Sequence, residues 1–206
     1  MKSNITGIIL SGGKSRRMGK EKGLCPFKGK PLVRYAIDVL SPFCERLIIV
    51  ANNEGYEGFG LEVFPDKIKE IGPVGGIYTG LLHSITEDNF ILSCDMPMIS
   101  TELVKYILLN RSNYRVVVPD FEGHLEPLCA FYHHDVFHQL KKAIEEGNYK
   151  MVDFIKKTNF RELKIDKQLG FFDPMLFANI NSEKEIEELG SLAKPVWSKK
   201  DCAKTA

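Results

Sequence analysis

The chain has 206 residues, and its 28 Lys and Arg nearly balance 27 Asp and Glu to leave a formal net charge of +1. That length suits one domain able to bury a core without disulfide or metal staples, and the balance excludes a general nucleic-acid binder. The five cysteines, Cys25, Cys44, Cys94, Cys129 and Cys202, are odd in number and form no CxxC pair, which is reduced-thiol usage without a zinc signature.

The first element is an apolar strand through Ile5, Ile8 and Ile9 that empties at Leu10 into glycines and cations together. Gly12, Gly13 and Gly19 let a ligand approach the main chain, so backbone N–H groups can face polyphosphate oxygens. Lys14, Arg16, Arg17, Lys20 and Lys22 add positive charge against the single Glu21, and a triphosphate is the natural counterpart. Lys22 is expected to be exposed in this loop. Two commoner phosphate motifs fail. A Walker A loop needs four residues between its glycines and a Ser or Thr after its lysine, whereas five separate Gly13 from Gly19 and Glu21 follows Lys20. The dinucleotide G-x-G-x-x-G spacing is absent as well.

Pro31, well placed at a first helical position, begins a helix carrying Leu32, Tyr35, Ala36, Val39 and Leu40, and Pro42 ends it. Residues 47–51 form a continuous apolar run, the pattern of a strand covered on both faces, with Asn52 and Asn53 at its carboxyl end. A βαβ unit is thereby closed, and such sheets bind ligands outside the carboxyl ends of their strands. Leu61, Val63 and Phe64 read as a short strand broken by Pro65 and Asp66, and Gly72 through Gly76 prepare a helix over 77–85. By itself Asp66 is a turn residue.

Residues 89–93 read as a central strand ending in Cys94, Asp95, Met96 and Pro97. A carboxylate there points at the ligand crevice, and Mg²⁺ takes carboxylate and phosphate oxygens, so Asp95 is the metal-ligand candidate. Ser100 and Thr101 remain to cap the next helix. Cys94 is expected as a small buried hydrophobe rather than a nucleophile. A helix over 101–109 and a strand over 114–118, stopped by Pro119 and Asp120, continue the βα alternation. Glu122, Gly123 and His124 form a loop before a strand over 126–132, and a second substrate meeting the sheet here would face Glu126 and His124. His134 and His138 are spaced i, i+4, but with no third ligand they read as solvated helix histidines. A helix over 135–146, a short helix over 151–156 and a strand over 160–165 follow. Asn179 and Asn181 alternate with Ile180, so an extended run would point both amides to one face; Asn181 or Ser182 with Glu183 and Glu185 equally makes an ordinary helix start. These elements define an α/β three-layer sandwich with a doubly wound, mostly parallel sheet, a single domain over 1–190 and a flexible tail over 191–206. No apolar run reaches transmembrane length and the first strand begins too early for a signal peptide, which sets the expectation of a cytoplasmic protein free of membrane contacts.

The run from Leu10 to Lys22, the turn from Gly72 to Gly76, the Cys-Asp-x-Pro string at Asp95 and the Gly-x-x-Glu-Pro-Leu string at Glu126 resemble the pyrophosphorylase-type nucleotidyltransferases, most closely the molybdenum cofactor guanylyltransferases. The resemblance runs from about Ile5 to Leu189; Ser11 stands where that family usually has alanine. It implies transfer of GMP from GTP to the phosphate of molybdenum-carrying molybdopterin, with Mg²⁺ as cofactor, pyrophosphate as product and molybdoenzymes or cofactor-delivery proteins as further partners. It implies that Leu10, Ser11, Gly12, Gly13, Asn52, Asp66, Gly72 and Pro73 line the GTP pocket. Lys22 would meet the α-phosphate, Lys14 and Arg16 the departing pyrophosphate, and Asp95 the metal. Glu126, Asn179 and Asn181 would stand on the acceptor side. Cytidylyl transfer to the same pterin, nucleotidyl transfer to a sugar or isoprenoid phosphate, and a non-catalytic nucleotide or pterin carrier are the rival readings; Lys22 and Asp95 together argue against the last.

Overall fold

In the computed structural model, residues 3–12 and 21–192 are described. The expected central run is β1 (Ser3–Leu10), in which Ile5, Ile8 and Ile9 are buried. A 3-10 turn (Lys22–Leu24) leads to the ribbon β2 (Pro26–Phe27) and β3 (Lys30–Pro31), then α1 (Leu32–Leu40), β4 (Cys44–Val50) and β5 (Glu62–Phe64). Next come α2 (Pro73–His83), β6 (Asp88–Ser93), α3 (Thr101–Leu109), β7 (Val116–Phe121), β8 (His124–Leu125) and β9 (Cys129–His133). The chain continues through α4 (Val136–Glu145), α5 (Met151–Ile155), β10 (Phe160–Ile165) and α6 (Glu183–Leu192).

The main sheet runs β10-β7-β9-β6-β1-β4-β5, with β8 paired to β7. β1 lies parallel to both β4 and β6, and β7 parallel to β10, while β9 is antiparallel to β6 and β7. Helices α1 and α3 bury Val33, Ile37, Leu103 and Ile107 in the core on one face. On the other face α2, α4 and α5 bury Ile77, Leu81, Leu140 and Phe154. This is the expected three-layer α/β/α sandwich. A third, smaller cluster joins Phe27 and Leu32 to Ile180 and Leu189, so the ribbon and α6 pack together beside the carboxyl edge of the sheet.

Register places Leu10 beside both Val50 and Ser93, so the ends of β1, β4 and β6 share one edge. Because β9 runs the other way, its amino end comes to that same edge: Cys129 pairs with Leu92, and Ser93 N–H donates to Leu128 O at 2.8 Å. The turn carrying Glu126 is thereby delivered to the ligand-binding edge.

Several local expectations are corrected. Pro31 is the residue before α1 and belongs to β3, so the helix starts one residue later than its proline suggests. The ribbon itself comes from Lys28-Gly29, both at positive φ between the paired Phe27 and Lys30, the geometry of a two-residue type I′ hairpin. Glu122-Gly123 repeats that geometry between Phe121 and His124, which makes His124 part of β8 rather than loop. Pro119 does not stop β7, because β9 pairs with β7 only at Val116 and Val117 and no ladder hydrogen bond is lost beyond them. Glu126 precedes β9 instead of lying in it, since Glu126 and Pro127 belong to the turn closed by Cys129 N–H on Glu126 O at 3.1 Å. Helix α2 begins at Pro73 and already includes the expected turn. Residues 178–181 form no strand. Of the expected tail, 191 and 192 belong to α6 and the remainder lies outside the described residues.

Candidate active site

At the end of β6, Asp95 accepts a hydrogen bond from Ser93 Oγ on Oδ1 at 2.5 Å and from Lys22 Nζ on Oδ2 at 2.7 Å. Lys22 also donates to Asn181 Oδ1 at 2.7 Å. One ammonium thus sits between two hard oxygens, with the Lys22 and Asp95 side chains only 15% and 18% exposed. This corrects the expectation of an exposed Lys22: it starts the 3-10 turn and is tied across the crevice. A pair so shielded keeps Coulomb energy that a surface pair loses to solvent.

Asn181 reaches this position because Ile180 is buried and its N–H donates to Asp95 O at 2.9 Å, anchoring the α6 approach to the end of β6. Its helix-start role is present too: Ser182 Oγ accepts from Glu185 N–H at 3.3 Å, and the Glu185 carboxylate accepts from Asn181 N–H. Asn179 is exposed and donates to Phe177 O at 3.3 Å. The pair therefore does not share one face, since the segment is not extended.

Asn52 and Asp66, both assigned to the nucleotide pocket by the resemblance, are joined through Asn52 Nδ2 to Asp66 Oδ2 at 2.8 Å and Asp66 N–H to Asn52 Oδ1 at 2.9 Å. A Cβ on Gly12 would lie 3.7 Å from Asp66 Oδ2 and one on Gly76 3.6 Å from Oδ1, so this carboxylate stands between the loop after β1 and the first turn of α2. Gly72 caps that helix at φ 72°, with Pro73 following, and both are exposed. Leu10 O accepts from Cys94 N–H at 3.0 Å, and Ser11 N–H donates to Val50 O at 2.9 Å. Ser11 is 2% exposed with its hydroxyl turned inward, so the ligand-facing main chain starts at Gly12. Gly13, Lys14 and Arg16 lie outside the described residues.

Burial pushes the Cys94 thiol up to about 12, with the neighbouring Asp95 charge adding to it, so it stays protonated near neutral pH and serves as packing. His134 faces Leu81 O at 3.2 Å, and no group of three or more His, Cys, Asp or Glu suited to a metal occurs among the described residues. No helix of the described residues is long and apolar enough to cross a membrane.

Glu126 is half-buried, and desolvation raises its carboxyl to about 7; His124 pulls it down and Asp95 pushes it up. The native state then binds more protons than the unfolded chain between about pH 4.5 and 7, so the stability Glu126 provides is present below that window and lost as pH rises through it. Glu126→Gln is expected to gain thermal stability relative to wild type between pH 5 and pH 8. Melting curves at the two pH values check this, and an unchanged difference would place Glu126 in a solvated position.

Sequence reasoning missed Ser93, Glu21, Asn53 and Tyr56 as site-building residues. Ser93 carried a signal, standing two residues before Asp95 at the end of the same strand. Tyr56 carried only that of an aromatic just after a parallel strand.

A family model described as the MobA-like NTP transferase domain matches residues 7–162. A Flavobacterium johnsoniae protein named a probable molybdenum cofactor guanylyltransferase is 37% identical over 186 residues, covering 90% of this chain and 96% of that protein. The molybdenum cofactor guanylyltransferase of Vibrio parahaemolyticus is 35% identical over 191 residues, covering 90% and 94%. Among solved structures, molybdopterin-guanine dinucleotide biosynthesis protein A from Archaeoglobus fulgidus superposes with a TM-score of 0.74 at 24% identity, covering 90% and 97%, a likeness of fold.

Proposed function

We propose that this chain, which belongs to the MobA-like NTP transferase family, transfers GMP from GTP to the phosphate of molybdenum-carrying molybdopterin and releases pyrophosphate. The observation that carries the reading is the convergence of Lys22, Asp95 and Asn181 at the carboxyl edge of the sheet, beside the glycine-rich stretch. An acceptor phosphate oxygen attacks the α-phosphorus, the new P–O bond forms, and the bond to the β-phosphate oxygen breaks with its electron pair leaving on pyrophosphate. The attacking phosphate is already ionised at neutral pH, so no protein nucleophile or strong base is needed. Catalysis rests on aligning two anions and neutralising their charge.

The donor set fits Mg²⁺: a carboxylate oxygen of Asp95 and an amide oxygen of Asn181 already converge on one cationic group, and the residues present leave further positions to phosphate oxygens and water. Asp95 and Asn181 would hold the ion, which when bound supplies charge neutralisation on the phosphates. Lys22, 2.7 Å from both oxygens, would present its ammonium to the α-phosphate. Ser93 keeps the Asp95 carboxylate oriented. Glu126, on the turn delivered by β9, stands on the acceptor side. GTP as donor fits a cytoplasmic enzyme.

Guanine offers O6 as acceptor and N1 and N2 as donors, and a site that pairs with this edge leaves buried groups unpaired when adenine enters. Competition binding with Mg²⁺ present and acceptor absent is expected to rank GTP well ahead of ATP and CTP. Tighter binding of CTP would replace the guanylyl assignment with a cytidylyl one.

A further inference from the structure

Tyr56 follows β4 outside every motif considered above, yet it is among the largest fully buried side chains. Its hydroxyl lies 2.6 Å from Ser11 Oγ and donates to Glu21 Oε1 at 3.0 Å. The other Glu21 oxygen accepts from Asn53 Nδ2, so two residues of the segment after β4 grip one carboxylate. Behind them Ser11 Oγ reaches Cys94 Sγ at 3.2 Å, which ties the group to the end of β6.

This arrangement joins the two described ends of the glycine-rich stretch. Ser11 precedes Gly12 on one side; Glu21 precedes Lys22 on the other. The fit beyond Lys22 is equally close, since a Cβ on Gly23 would fall 1.9 Å from Ser11 Oγ and 2.6 Å from the Tyr56 hydroxyl. Lys22 is therefore flanked by a gripped residue and a tightly packed one, and its flexible stem starts from a fixed backbone. Less conformational freedom remains to be lost when the ammonium meets a phosphate.

We infer that Tyr56 is a positioning residue for nucleotide binding, acting through Glu21 and Ser11 to hold Gly12 and Lys22 in place for the triphosphate. The inference rests on the proposed nucleotidyl transfer. Tyr56 does not touch the reacting atoms.

The test is a double-mutant cycle on triphosphate affinity, by equilibrium titration with Mg²⁺ and without acceptor, so that it needs no turnover. Should wild type prefer another triphosphate to GTP, that one is the probe, which separates this test from the base assignment. Tyr56→Phe and Glu21→Ala are each expected to weaken binding about tenfold, and the double variant by less than the product of the two, because they share the Tyr56–Glu21 contact. In steady state the KM for the nucleotide should rise while the KM for the acceptor stays fixed. A merely structural role would instead lower the active fraction with nucleotide KM unchanged. Asn53→Ala, which removes the other grip on Glu21 from an exposed position, should weaken binding in the same direction and keeps the test open if Tyr56→Phe fails to fold. Affinities within twofold of wild type in the folded variants, or multiplying penalties in the double variant, would overturn the inference.

Discussion

Asp95→Asn is expected to lower transfer by about a hundredfold or more, since it removes the negative charge that both Lys22 and a divalent cation require at the reacting phosphates. The substitution keeps size, and its one amide oxygen can still accept from Ser93 or from Lys22 though not from both as they stand, so the fold should persist. Its signature lies in the metal dependence: the Mg²⁺ concentration for half-maximal rate should rise, while GTP binding without metal changes little. Titration of rate against Mg²⁺ for both proteins measures this, and identical curves would make Asp95 a structural turn residue.

Lys22→Met is expected to reduce turnover by about tenfold to a hundredfold, the worth of a charge-assisted phosphate contact of roughly 1.5 to 3 kcal/mol. Methionine rather than alanine is the informative choice, because the Lys22 stem is largely buried and truncation would also open a gap beside Asp95. A second readout needs no catalysis. With its ammonium gone, Asp95 Oδ2 and Asn181 Oδ1 lose the cation they share, so Mn²⁺ should bind the nucleotide-free variant more tightly than wild type. Unchanged turnover would remove Lys22 from the site, and weaker Mn²⁺ binding would separate the Lys22 position from the metal position.

Where local patterning decides an element, the sequence was legible. The apolar runs of β1, β4 and β6 announced a sheet buried on both faces, and Asp95 announced itself by ending one of them. Where pairing decides, it was not. Pro119 looks like a stop, and only the early departure of β9 from β7 explains why the strand continues. Asn179 and Asn181 looked equivalent, and only the Ile180 anchor on Asp95 shows why one reaches Lys22 and the other does not. Lys22 was legible as a phosphate cation, but its burial depends on Asp95 and Asn181, which are distant in sequence. Tyr56 was hidden for the same reason: its partners Ser11 and Glu21 lie 45 and 35 residues away, beyond the reach of periodicity or spacing.

The most direct measurement of the central claim is pyrophosphate release by the intact protein with Mg²⁺, molybdenum-carrying molybdopterin and each of the four ribonucleoside triphosphates in turn. Release is expected with GTP, one pyrophosphate for each guanine dinucleotide formed, far less with ATP, CTP or UTP, and none when the acceptor is left out. Faster release with CTP, or no release with GTP while the protein is folded and binds it, would contradict the account.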